Sequence, residues 1–205
     1  MDLRLGRDTF GDARNTGQLM ELAEAHQLLR EWVLNQRLLF HMEQVGHLLK
    51  CWASERGYNE PTIHLWHLAG LLHDADWDQF PEQHCAKIIA ELERREQDPA
   101  LMRAIASHGP RYFGVEPQSE LDKMLYAFDE LSGLTHAYSL MRPEGYEGME
   151  VKGVKKRLKD KTFAAQVSRE DINDAVGRLN ITLDELIRFV IDWQLRAPEV
   201  AVLEG

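Results

Sequence analysis

Six residues of this sequence carry side chains that could share a cation: His41, the adjacent pair His73-Asp74, His84, His108 and Asp129. Imidazole nitrogen together with carboxylate oxygen suits Fe, Mn, Zn, Co or Ni. At ~100° of turn per helical residue, His41 falls in line with Leu38, Val45, Leu48 and Trp52, so it faces inward with an apolar stripe. His73 shares its side with Trp66, Ala69 and Gly70, and the two small residues allow a neighbouring helix to come close. Asp74 follows at a helix end, where the chain can turn its carboxylate toward the same point. His108 is in phase with Leu101, Ala104 and Ile105, and Asp129 with Leu125, Tyr126 and Gly133. A carboxylate aimed at an apolar interior is costly unless a cation or hydrogen-bond donors receive it. His47, His64 and His67 are out of phase with this set, His26 stands in a helix with no matching partner, and all four read as ordinary histidines.

The elements that must position these groups read as one helix after another. Apolar positions at three-to-four spacing predict helices over 17–34 and 37–56. Gly57 stops the second, and Asn59-Glu60-Pro61 starts a very apolar third over about 60–75. Pro81 is expected to open a fourth through about 96, and Asp98-Pro99 a fifth that ends near Gly109-Pro110. A sixth spans about 119–141. Residues 143–167 look mixed and then basic, and Ser168-Arg169-Glu170-Asp171 and Thr182-Leu183-Asp184-Glu185 have the form of capping boxes that start two final helices. No paired period-two segments with hairpin turns occur, so the expected fold is all-α, a single helical bundle of about 8–9 helices. Residues 1–16 are expected to be a flexible arm, with one domain over 17–205.

Composition narrows the function. Apolar and charged fractions are ordinary for a globular chain, and 34 acidic residues against 24 basic ones leave a formal charge of −10, which disfavours a nucleic-acid polymer as partner. No apolar run approaches the ~18 residues of a membrane span. Two cysteines, Cys51 and Cys85, point to a reducing compartment rather than a disulfide framework, and with no secretory signal at the start the expected location is cytoplasmic. No Walker loop, dinucleotide glycine motif, H-E-x-x-H or G-x-S-x-G elbow is present, and Cys85 reads as a small buried hydrophobe.

The order His41, His73-Asp74, Asp129, set in LAGLLHDADWDQFPEQH, AIASHGP and LDKMLYAFDELSGL, resembles the HD superfamily of metal-dependent phosphohydrolases. The stretch VKKRLKDKTFAAQV before the last helices is similar to that of a group of small predicted hydrolases within it, and the likeness runs over roughly residues 20–195. Ala75-Asp76-Trp77 and Phe128 stand where more apolar or smaller residues are expected, which bears on the shape of the substrate site. The resemblance implies that His41, His73, Asp74 and Asp129 hold a first divalent ion. In the longer pattern of binuclear members, Asp74 bridges to a second ion held by His84 and His108. Two ions ~3.5–4 Å apart polarise a bridging water and stabilise charge on a phosphoryl oxygen. Iron or manganese is favoured by this mixed, hard donor set, ahead of zinc, nickel, cobalt or magnesium.

The implied activity is hydrolysis of a small phosphorylated substrate, such as a nucleotide. Two other functions carry the same residues: a di-iron oxygenase of the superfamily, and a metal-binding module without turnover. Residues 152–161 reverse the overall sign of charge, with Lys152, Lys155, Lys156, Arg157, Lys159 and Lys161 against Asp160. Lys155, Lys156 and Lys159 are candidates to receive substrate phosphate near the metals, and the other reading of this segment is a solvated helix face. Arg111, Arg142 and His136 are weaker candidates for the same pocket.

Overall fold

The computed structural model describes residues 18–197. The arm expected over residues 1–16 lies outside the described residues. Within them the chain is all-α: α1 (Leu22–Trp32), α2 (Gln36–Glu55), α3 (Glu60–Leu72), α4 (Ala86–Arg94), α5 (Pro99–Ser107), the single turn α6 (Pro110–Phe113), α7 (Glu120–Ser139), α8 (Val151–Lys159), α9 (Arg169–Arg178) and α10 (Leu183–Leu195). No strand occurs among the described residues, and no helix there is long and apolar enough to cross a membrane.

The starts of these helices follow their side chains. Asn35, Asn59, Asp98, Ser119, Ser168 and Thr182 each accept a backbone N–H from the first turn they precede. Thr182 and Glu185 close a full capping box. At Ser168 only half of the expected box forms, because Asp171 turns away to accept the Tyr126 hydroxyl at 2.9 Å.

α2 and α3 form an antiparallel pair that carries the centre of the core, and α7 lies across α2, α5, α9 and α10. The pair closes at two glycines: a Cβ built on Gly70 would sit 2.6 Å from the Gly46 backbone nitrogen and 2.7 Å from the Val45 carbonyl carbon. Nothing flexible is there to yield. Gly70→Ala is therefore expected to cost about 1–3 kcal/mol of stability or more, read as a lowered denaturant midpoint at unchanged m-value. An unchanged midpoint would mean that the two helices separate freely.

Three expected boundaries shift. α1 begins at Leu22 rather than residue 17, and α3 ends at Leu72. The fourth helix, expected to run unbroken from Pro81, is interrupted: a 3₁₀ turn covers Pro81–Gln83, Cys85 takes φ 69°, and α4 starts at Ala86. The basic segment, read as mixed, forms α8, whose inward face is Val154.

Candidate metal centre

Each of the six candidates stands where a helix ends, breaks or faces the core. His41 projects from α2 and Asp129 from the middle of α7, while His73 and His108 are the C-cap residues of α3 and α5. Asp74 follows His73 directly, and His84 occupies the break ahead of α4. At a C-cap the ring can fold back on its own last turn. His73 Nδ1–H donates to the Gly70 carbonyl at 2.7 Å, and His108 Nδ1–H to the Ile105 carbonyl at 2.5 Å. A carbonyl can only accept, so each ring keeps its Nδ1 hydrogen there and turns Nε2, the nitrogen that a cation could use once deprotonated, toward the cluster.

The ligand-type atoms meet in two groups, His41, His73, Asp74 and Asp129, and Asp74, His84 and His108. In the first, His41 Nε2 lies 3.0 Å from Asp129 Oδ1 and 4.0 Å from Asp74 Oδ2, and His73 Nε2 lies 3.5 Å from each of these two oxygens. In the second, His84 Nε2 and His108 Nε2 are 3.3 Å apart and lie 3.4 and 3.5 Å from Asp74 Oδ1. Asp74 thus turns one oxygen to each group. Donors bound ~2.0–2.1 Å from one tetrahedral ion are separated by ~3.3–3.4 Å; the second group, at 3.3–3.5 Å, lies close to that spacing, while the first spreads around it from 3.0 to 4.0 Å.

Electrostatics fit the same reading. His73 is fully buried and its Nε2 has no hydrogen-bond partner, an expense that a shared cation would remove. Burial by itself would lower the basicity of His73. The charges of Asp74 and Asp129 outweigh it and push its pKa up to about 9. Burial likewise opposes ionisation of Asp74 and Asp129, yet the histidines around them hold both carboxyls well below the usual range. The two carboxylates therefore stay charged beside a His73 that holds a proton in the absence of metal. A divalent cation can take that proton's place, so the donor set, the orphaned nitrogen and the charge all fit a metal.

A cleft of about 770 Å³ opens on this cluster, walled by Trp77, Phe113, Tyr126, Glu130, Gln166 and Asp171 among others. The Trp77 and Phe113 rings lie edge-on to His84, with centroids 4.8 and 5.1 Å away. Glu130 accepts the Ser168 backbone N–H at 2.9 Å, and burial together with the neighbouring Asp129 pushes its pKa up to about 8.

The structure does not bring the lysines there. Lys155, Lys156 and Lys159 line a separate depression with Val151 and Asp184, and Lys155 pairs with Asp184 at 2.6 Å. With Val154 turned to the core, the helix presents its lysines on other faces. Arg111 is held by Glu170 and Asp171 at the cleft edge, Arg142 donates to the Glu147 carbonyl, and His136 bonds the Tyr146 hydroxyl. His26 pairs with Glu43, and His64 meets the Met20 carbonyl, so neither joins the cluster. Sequence reasoning missed Asp76 as a partner of His84, and missed the cleft walls from Gln166 and Asp171. No local pattern singles Asp76 out, since it lies in a turn that also carries Asp74 and Asp78.

The family model described as HD domain matches residues 38–134, a span that contains all six clustered residues. No curated protein and no solved structure matches the chain.

Proposed function

This chain carries an HD domain, and from that premise we propose that it is a metal-dependent phosphohydrolase acting on a nucleotide or another small phosphate ester or anhydride. The observation that supports it most is Asp74, whose two oxygens face two separate groups of donors at the floor of an open cleft. In this reading His41, His73, Asp74 and Asp129 hold one divalent ion, and Asp74, His84 and His108 hold a second. Iron or manganese suits the mixed nitrogen and oxygen donors best. Ions bound there supply positive charge for the phosphoryl oxygens and lower the pKa of water enough to make it a nucleophile at neutral pH.

The protein's own contribution is placement. The anchored Nδ1 atoms of His73 and His108 keep their rings from turning, which holds the donor atoms at fixed positions before substrate arrives. The half-exposed Trp77 indole and the Phe113 ring form a flat apolar wall beside the second group. Such a wall suits a leaving group with a planar part, as in a nucleotide.

Phosphate release from a panel of nucleotides and other phosphate esters, run without oxygen and with Mn²⁺, tests the reading. Release under these conditions is expected. Turnover that instead requires iron and consumes O₂ would make the protein an oxygenase. The lysines give a second check, since they face a different depression from the cleft. Lys156→Ala and Lys159→Ala are expected to leave metal content unchanged and KM within about twofold. A several-fold rise in KM that shrinks at high salt would restore the phosphate-receiving role expected from the sequence.

A further inference from the structure

One buried acid has no part in the proposed metal centre and yet touches it. Asp76 has no exposed surface. Its Oδ1 accepts His84 Nδ1–H at 2.7 Å and the Cys85 backbone N–H at 3.3 Å, and its Oδ2 accepts the Ile88 N–H at 2.8 Å. One carboxylate thus binds the ring of His84 and the start of α4 at once, across the break where Cys85 takes φ 69°. That conformation is unfavourable for a side-chain-bearing residue and persists only where the surroundings impose it.

We propose that Asp76 is a positioning residue that holds His84 in the tautomer and orientation in which its Nε2 is a cation donor beside His108 and Asp74. The inference rests on the metal-centre reading given above and adds to it how the second group is assembled. His73 and His108 are steadied by carbonyls of their own helices, which the C-cap position provides at no cost in sequence. His84 follows a 3₁₀ turn, and its Nδ1 finds its acceptor on a side chain from the preceding turn instead. An acceptor at Nδ1 places the ring hydrogen there and leaves Nε2 with its lone pair, 3.3 Å from His108 Nε2 and 3.4 Å from Asp74 Oδ1. Because the same carboxylate receives the Ile88 N–H, the ring and the helix start cannot move independently.

Asp76→Asn separates positioning from mere support. An amide has one acceptor oxygen. If it stays with Ile88, the NH₂ group faces His84 Nδ1, and the ring hydrogen must move to Nε2, where it blocks a cation. Proton–nitrogen correlation spectra of the metal-free protein, with His84→Ala to assign the ring, read this directly. The expected result is Nδ1–H in the wild type and Nε2–H in Asp76→Asn. Mn²⁺ titration followed by free-ion electron paramagnetic resonance should show the second equivalent weakened about 10–100-fold in Asp76→Asn with the first unchanged. Asp76→Ala should weaken the second ion likewise.

An unchanged tautomer in Asp76→Asn, or two Mn²⁺ bound with wild-type affinity, would overturn the proposal. Equal loss of both ions together with a lowered melting temperature would also overturn it, since that is what a purely structural cap produces. A wild type that takes up no Mn²⁺ counts against the metal-centre reading. It is distinguishable from failure here, because the tautomer is read without metal and still decides the role of Asp76.

Discussion

Asp74→Ala is expected to leave the protein folded and unable to retain either ion, with phosphate release reduced to background. The carboxylate is shared between the two groups, Oδ2 facing His41 and His73 and Oδ1 facing His84 and His108. Removing it strips an oxygen donor from each group and leaves the second with two imidazoles alone. Folding should survive, because the packing of the core helices rests on buried apolar residues such as Leu48, Leu71 and Phe128. His84→Ala provides the contrast, losing one equivalent while the first group keeps its donors. Elemental analysis after gel filtration separates the two variants. Two equivalents of metal on Asp74→Ala would remove the bridging role.

Metal affinity should rise steeply with pH up to about 9. Without metal, His73 is held protonated by Asp74 and Asp129 with its pKa pushed up to about 9, and an ion must displace that proton to use Nε2. Below pH 9 each unit of acidity therefore costs about tenfold in apparent affinity, and loading at pH 7 should release about one proton per chain into a weakly buffered solution. Stability of the metal-free protein carries the opposite sign. A histidine whose pKa is raised on folding stabilises the fold fully below its unfolded value near 6.5, and that contribution is lost as pH climbs through 9. The depressed carboxyls of Asp74 and Asp129 contribute above their unfolded values near 3.8 and lose their contribution as pH falls below it. Isothermal titration at two pH values checks the affinity, and thermal melts with and without chelator check the stability. An affinity flat from pH 7 to 9 would place that proton elsewhere.

Helical phase made most of the centre legible in the sequence. Apolar neighbours at three-to-four spacing put His41 and Asp129 on inward faces, and both do face the cluster. The pairing of Ala69 and Gly70 beside His73 announced a close helix crossing, and Gly70 does meet Gly46 there. Phase says nothing about breaks. His84 reaches the cluster because the chain leaves helical geometry at Cys85, and the cause, the Asp76 carboxylate holding both sides of the break, is a contact that no local pattern encodes.

The basic segment shows the same limit from the other side. A local reversal of charge identifies α8 as unusual, but which depression its lysines line depends on how Val154 docks, and that is set by the tertiary fold. The cleft walls at Gln166 and Asp171 lie far along the chain from the histidines. Only the packing of α9 against α7 brings that part of the chain close.

His41, His73, Asp74, His84, His108 and Asp129 are expected to hold divalent metal. Elemental analysis of the wild-type protein, loaded with Mn²⁺ or Fe²⁺ at pH 8 and freed of loosely held ions by gel filtration, tests it most directly. Two equivalents per chain are predicted, one for each group of donors. A protein that emerges with no bound metal, while remaining folded, would contradict the account.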